Sequence, residues 1–175
     1  SMSPDVPSVY LSAVVRESLR LYPSAWAFTR RARVATQLGK WQLRPRDVII
    51  ISPWLQHRQR DYWSEPERFM PERWLDKQAS VAQRSFHYMP FGSGRHRCIG
   101  EHLSLYEIQT AVRCVAQQCT LSRVQGMPPR TLPEPQAWMS LRPSEELRVQ
   151  IHARSSHVCR SVSANTFALP EQPLG

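Results

Sequence analysis

The stretch that decides the fold is FGSGRHRCIG, residues 91–100. Cys98 follows a glycine-rich turn and directly precedes residues 99–119, whose apolar side chains recur at helical spacing. At the start of a helix, unpaired backbone N–H groups and the positive end of the helix dipole favour an anionic sulfur. Gly100 has no side chain, so a large flat ligand could come close to the backbone there. The decamer therefore predicts a cysteine that holds a metal, and the alternative is an inert buried cysteine.

A second chemical signal lies near the N-terminus. Residues 8–21 carry apolar side chains at helical spacing, and Pro23 ends the predicted helix. Glu17 and Arg20 are three residues apart and therefore share one face of this helix. Taken by itself, the pair is typical of a surface salt bridge, which contributes little to stability.

Together with one further motif, these residues resemble the cytochrome P450 family. The family's haem-binding signature is Phe-x-x-Gly-x-Arg-x-Cys-x-Gly, and four residues match it in register: Phe91, Gly94, Cys98 and Gly100. His96 fills the position of the signature arginine. ESLR at 17–20 is similar to the family's Glu-x-x-Arg, and PER at 71–73 is similar to its Pro-Glu-Arg motif. The resemblance implies a buried, structural Glu–Arg–Arg triad, formed by Glu17, Arg20 and Arg73.

The resemblance also implies the architecture. The expected fold is mainly α with small β-sheets and corresponds to the C-terminal part of the cytochrome P450 fold. Residues 1–152 would form this haem-binding portion, and the serine-rich, aperiodic residues 153–175 a disordered tail. No segment reads Ala/Gly-Gly-x-Asp/Glu-Thr, the pattern of the family's long distal helix. The expectation is therefore a chain that lacks this helix.

The expected cofactor is haem b, iron protoporphyrin IX, with Cys98 as the thiolate ligand of the iron. Thiolate ligation favours O–O cleavage more than histidine ligation does. Phe91 would pack beside the sulfur, and Arg30 would pair with a haem propionate, its alternative being a solvated strand arginine. Because the charge of histidine changes near neutral pH, anchoring by His96 is expected to be weaker or pH-dependent unless a neighbouring arginine replaces it.

Two segments are expected on the substrate side of the haem. By the resemblance, Ser24 to Phe28 would line the pocket, with Ala25 and Ala27 closest to the substrate. Trp138 and Met139 occupy the position of the family's C-terminal pocket loop. Small and apolar side chains suit a hydrophobic substrate, and core packing explains them equally well.

The resulting functional hypothesis is a haem-thiolate monooxygenase, or its haem-ligating C-terminal part. It would insert one oxygen atom from O2 into an apolar organic substrate with electrons from a redox partner. The alternative is a truncated, non-catalytic haem-binding or scaffold module.

The amino-acid composition indicates which binding partners and which cellular compartment to expect. The 175 residues carry a formal net charge of +9, and nearly all of the basic residues are arginines. The arginines are scattered, which argues against nucleic-acid binding and leaves a solvated basic surface as the simplest interpretation. By the resemblance, arginines near Cys98 would attract an acidic electron-transfer protein, such as a ferredoxin, a flavodoxin or a flavin reductase domain. No signal peptide or membrane anchor is visible, so we expect a soluble, cytoplasmic, bacterial protein; an anchor in a preceding N-terminal half is compatible with this sequence.

The remaining expectations concern packing. The helix over 99–119 is predicted to bury a stripe made of Leu105, Ile108, Val112, Val115 and Cys119. Cys114 and Cys119 are interpreted as small buried hydrophobic residues rather than ligands. A strand at 28–35 is predicted to precede a turn at 37–39, and a second strand at 48–52 follows residues 44–47, where Asp47 stands in place of the family's usual glycine.

Overall fold

A computed structural model describes residues 6–75, 86–124, 133–146 and 148–154. Its α-helices are α1 (Val6–Leu21), α2 (Pro53–Gln56) and α3 (Glu101–Gln118). Short 3₁₀ turns form at Pro71–Trp74 and Gly94–His96. The strands pair as two-stranded antiparallel ribbons: β1 (Phe28–Arg31) with β4 (Val48–Ile51), β2 (Thr36–Leu38) with β3 (Trp41–Leu43), β5 (Cys119–Arg123) with β8 (Val149–Ala153), and β6 (Pro135–Ala137) with β7 (Leu141–Pro143). The expected combination of helices with small β-sheets is thus confirmed.

Helix α1 forms the centre of the described structure. Ala13, Val15 and Leu21 are its buried apolar residues, and Glu17 and Arg20 are buried with them. Ala13 packs in a small core with two tryptophans, Trp63 and Trp74. The 3₁₀ turn Pro71–Trp74 also packs against α1, so the segment that carries Arg73 lies beside the helix that carries Glu17 and Arg20.

Helix α3 differs from its prediction. It packs against α1 and β5, yet no residue of α3 is fully buried. Val112 and Val115 are 40% and 45% exposed, and Cys114 is exposed as well. The other stripe residues, Leu105, Ile108 and Cys119, are half-buried. The predicted burial is therefore wrong for Val112, Val115 and Cys114, since no described element covers the helix there.

The loop before β4 corrects a second expectation. The left-handed conformation falls on Arg46, with φ of 77°, and not on Asp47. The Asp47 carboxylate instead accepts a hydrogen bond from the backbone N–H of Arg44 at 2.7 Å. Asp47 therefore stabilises the turn through its side chain, as aspartate commonly does at turns.

The predicted disordered tail lies, from residue 155 onward, outside the described residues. Within the described ranges, no helix combines the length and the apolar character that crossing a membrane would require.

Candidate functional site

A single buried carboxylate organises the N-terminal half of the site. Glu17 is 0% exposed, and its Oε2 accepts hydrogen bonds from Arg20 Nε at 2.9 Å and from Trp74 Nε1 at 2.8 Å. Its Oε1 accepts from Arg20 Nη2 at 2.9 Å, Arg73 Nε at 3.1 Å and the Met70 backbone N–H at 3.0 Å. Five donors thus converge on one carboxylate, and Glu17, Arg20 and Arg73 lie together.

Burial and hydrogen bonding act on Glu17 in opposite directions. Burial alone would raise the pKa of the carboxyl group. The hydrogen bonds from Arg20, Met70 and Trp74 outweigh burial and lower the pKa below its ordinary value. Glu17 is therefore held as an anion, which is the form that these donors require.

Arg20 carries the network from α1 into the following loops. Its Nη1 donates to the carbonyl oxygens of His57 at 2.8 Å and Pro66 at 2.7 Å. Its Nη2 also donates to the carbonyl oxygen of Arg68 at 3.2 Å. All five N–H donors of this buried guanidinium are thus satisfied. The loop between α2 and the turn Pro71–Trp74 is fixed around one side chain.

The cysteine loop is a closed backbone turn that presents an exposed sulfur. The N–H of Cys98 donates to the carbonyl oxygen of Phe91 at 2.9 Å, which closes the loop. Gly92 and Gly94 have φ of 74° and 69°, values that a residue with a side chain rarely adopts. Cys98 is exposed, so the predicted alternative of a sealed, inert cysteine does not describe this site.

The sulfur lies at the start of α3. Gly100 is the N-cap residue, and no side chain caps the helix. A Cβ at Gly100 would lie 3.8 Å from Cys98 Sγ and 3.9 Å from Ser104 Oγ, which is ordinary van der Waals contact, so a side chain at this position would border the sulfur. The absence of one leaves the sulfur and the N-terminal end of an 18-residue helix open on the same side.

Comparisons with known proteins identify this arrangement. The family profile described as Cytochrome P450 matches residues 6–151. The chain belongs to the cytochrome P450 family.

Individual relatives agree with this assignment. The chain is 36% identical over 131 residues to cyclooctatin synthase of Streptomyces melanosporofaciens, covering 74% of this chain and 28% of the relative. It is 38% identical over 123 residues to cyclooctat-9-en-7-ol 5-monooxygenase of the same organism, covering 70% of this chain and 27% of the relative. The structure is similar to the crystal structure of the cytochrome P450 CYP102L1, with a TM-score of 0.72, 26% identity, and coverage of 83% of this chain and 32% of that one. The chain therefore spans little more than a quarter of the length of these two relatives.

Cytochrome P450 proteins bind haem b, and the donor chemistry of the cysteine loop fits this cofactor. Within the described ranges, no group of three or more His, Cys, Asp or Glu side chains could hold a metal ion. A single exposed thiol beside a glycine suits a metal whose other ligands come from a flat macrocycle. A cavity of about 330 Å³ next to the loop is lined by Phe91, Arg97 and Glu101 but not by Cys98, so it is not the place of the sulfur's ligand.

The two predicted propionate partners differ in their surroundings. Arg30 lies on β1, where its Nη1 donates to the carbonyl oxygen of Thr29 and its guanidinium lies over the Phe28 ring. His96 ends the 3₁₀ turn before Cys98 and is exposed. Both arginines beside it are exposed, but Arg97 already donates to Glu101 Oε1 at 2.6 Å, so Arg95 is the better placed of the two to bind a further anion.

The two predicted pocket segments lie beside each other. Trp26 Nε1 donates to the carbonyl oxygen of Trp138 at 2.7 Å, and the N–H of Leu141 donates to the carbonyl oxygen of Ser24 at 2.9 Å. Met139, at the tip of the β6–β7 hairpin, is fully exposed. Ala25 is exposed and Ala27 half-buried, so core packing among the described residues does not account for these apolar side chains.

Sequence reasoning missed the roles of three residues. Trp74 completes the shell around Glu17, Trp26 connects the pocket segments, and His57 is a buried connector between α1 and the cysteine loop. His57 follows α2, of which only Pro53 is buried, and a single histidine creates no periodic signal that would indicate its burial.

Proposed function

We propose that residues 1–152 form the haem-ligating, C-terminal part of a haem-thiolate monooxygenase that acts on an apolar organic substrate. One observation carries the proposal: the Cys98 sulfur is open to a ligand at the start of α3, next to a glycine that leaves room for it. The thiolate form of this sulfur would be stabilised by the free N–H groups of the first helical turn. The named monooxygenase relative supports the reaction class.

Each predicted haem contact has a place in this proposal. Cys98 would coordinate the iron, Gly94 and Gly100 would keep the loop close to the porphyrin, and Phe91 would shield the sulfur from water. Arg30 and His96 would bind the propionates. When bound, the haem supplies the oxygen chemistry, in which one atom of O2 enters the substrate and the other is reduced to water. The chain's own contribution is to hold the sulfur anionic and fixed.

Electrons would come from an acidic electron-transfer protein of the ferredoxin, flavodoxin or flavin reductase type. The formal charge of +9 and the exposed Arg95 and His96 beside the cysteine support this class of partner.

We also propose that this chain lacks the family's long distal helix. Among the described residues, nothing covers α3 around Val112 and Val115, which favours such an arrangement because a further element would normally cover these apolar side chains. The same side chains are compatible with the second candidate, a non-catalytic haem-binding or scaffold module. The experiment that follows separates the two.

Reduction under carbon monoxide tests the thiolate. The protein reconstituted with haemin should give the red-shifted Soret band from which the family takes its name, because an anionic sulfur opposite CO produces it. Cys98→Ser should abolish the shift. Cys114→Ser is the matched control, since it removes an exposed thiol from the same helix region and should leave the band unchanged. An unshifted haem band in the unaltered protein would favour the scaffold candidate, and a shifted band in Cys98→Ser would refute the ligand assignment.

The pocket assignment predicts an effect of Trp26→Phe. This change keeps an aromatic ring but removes the N–H that donates to the Trp138 carbonyl. The β6–β7 hairpin is then held to residues 24–26 by the Leu141 amide alone, so exchange of that amide with solvent should become about fivefold faster, as expected for one net hydrogen bond. Amide hydrogen exchange measures this rate. Trp138→Phe is the control, because the acceptor at position 138 is a backbone carbonyl, and equal exchange in both variants would contradict the assignment.

A further inference from the structure

We propose that His57 is a positioning residue that fixes the cysteine loop to the Glu17–Arg20 network, an inference that rests on the proposed function for its effect on haem. None of the contacts that His57 makes among the described residues is with Cys98. Its effect would pass through the backbone of the loop that carries the sulfur.

The first step is the geometry of the imidazole. His57 is 0% exposed, and its Nδ1 is 3.1 Å from the carbonyl oxygen of Arg20. Its Nε2 is 2.9 Å from the backbone nitrogen of Met89. A carbonyl oxygen can only accept and a backbone N–H can only donate, so Nδ1 carries the proton and Nε2 is the acceptor. Both ring nitrogens are thus used, and the ring must be neutral.

The second step is what the ring connects. The carbonyl oxygen of His57 accepts from Arg20 Nη1 at 2.8 Å, so His57 is bonded to Arg20 through its backbone as well as through its ring. On the other side, the Met89 N–H belongs to the segment that leads into the cysteine loop. His57 is therefore a bridge between the end of α1 and residue 89. Tyr88 and Trp63 contact the ring at centroid distances of 5.3 and 6.4 Å and limit its rotation.

The third step runs from Met89 to the sulfur. The carbonyl oxygen of Met89 accepts from the N–H of Gly92 at 3.0 Å, which forms the first turn of the loop. The carbonyl oxygen of Phe91 then accepts from the N–H of Cys98 at 2.9 Å and closes the loop. His57 Nε2 thus fixes residue 89, where the loop begins, and Cys98, the proposed haem ligand, lies at the end of the same loop. Without it, the Met89 N–H loses its partner, and the first turn of the loop is free to shift.

Two substitutions at one position separate anchoring from packing. His57→Gln can place its side-chain oxygen where Nε2 lies and so keep an acceptor for Met89. His57→Asn can reach only the position of Nδ1, which keeps the contact to Arg20 but leaves Met89 without an acceptor. The urea midpoint of each variant records any general loss of stability. Each variant keeps one of the two ring contacts and loses the other. Both remain informative if they are destabilised, because exchange at the Met89 and Cys98 amides reports the loss of the acceptor, whereas the Arg20 carbonyl has no proton to exchange.

The decisive measurement is amide exchange at Met89 and Cys98 in the haem-free chain. His57→Asn should speed exchange at both amides about tenfold or more relative to His57→Gln, since the part-buried Met89 N–H then loses its acceptor. Equal exchange in the two variants would overturn the positioning role, and this result does not depend on whether haem binds.

The haem-loaded chain provides the second readout. His57→Asn should release haem about tenfold faster than His57→Gln to an apomyoglobin acceptor and should lose part of the red shift of its reduced carbon monoxide complex. If the two variants differ in amide exchange but release haem at equal rates, the effect on the cofactor is refuted. If the unaltered chain fails to bind haem, the proposed function fails, while the exchange data still decide the role of His57.

Discussion

Replacing Glu17 with glutamine should lower the free energy of unfolding by about 3–5 kcal/mol, because it leaves the buried guanidinium of Arg20 without a counter-charge. The carboxylate accepts five hydrogen bonds, and a glutamine side chain would turn one of its two acceptors into a donor facing other donors. Urea unfolding followed by tryptophan fluorescence measures the change, since Trp63 and Trp74 lie in the small core beside Glu17.

Glu65→Gln is the matched control for this prediction. Glu65 also pairs with an arginine three residues away, at 3.0 Å from Arg68, but both side chains are more than half exposed. An exposed pair of this kind contributes about 1 kcal/mol or less. Equal urea midpoints for the two glutamine variants would mean that the Glu17 network does not hold the structure together.

Lowering the pH from about 6.5 to about 4 should reduce the free energy of unfolding by roughly 3 kcal/mol through His57 alone. Burial lowers the pKa of His57 to about 4, and the nearby guanidinium groups of Arg20 and Arg58 act in the same direction against the hydrogen bond to the Arg20 carbonyl. In this window the unfolded chain binds a proton at residue 57 and the folded chain does not. Protons therefore favour the unfolded state, and stability is fully present above pH 6.5 and falls as the pH falls.

The pH effect is measured as the urea midpoint across the same range. His57→Gln provides the comparison, because a glutamine at position 57 binds no proton and should flatten the dependence between pH 6.5 and 4. Below this window Glu17 acts with the same sign, since its pKa is lowered in the folded state and its protonation removes stability. An identical pH dependence in His57→Gln and the unaltered chain would contradict the assignment to His57.

Much of the site follows from sequence, for reasons that are physically simple. Helical spacing brings Glu17 and Arg20 to one face, and a glycine-rich turn before an apolar-periodic segment indicates a cysteine at a helix start. The partnership of Arg73 with them came from the order of family motifs and not from spacing. The distance from Arg73 Nε to Glu17 Oε1 is 3.1 Å across 56 positions of sequence, which no local pattern encodes.

The sequence-based predictions that the structure corrects failed for specific physical reasons. The periodicity of α3 predicts which residues lie on one face, but periodicity cannot tell whether anything covers that face, and Val115 remains 45% exposed. In the turn before β4 the positive φ lies at Arg46, one position before Asp47, whose carboxylate accepts from the Arg44 N–H instead. No local sequence pattern indicates the two hydrogen-bond partners of the His57 ring, because Arg20 and Met89 lie 37 and 32 residues away.

The crowding of donors around Glu17 limits how this sequence can change over generations. A swap of residue 17 to a cation or an amide would oppose donors on Arg20, Arg73 and Trp74 at once, and the Met70 amide cannot be mutated away except to proline. Compensation would require several simultaneous exchanges, each harmful when it occurs first. We therefore expect very few amino-acid substitutions at residue 17 among related sequences, and many more at the solvent-facing arginines.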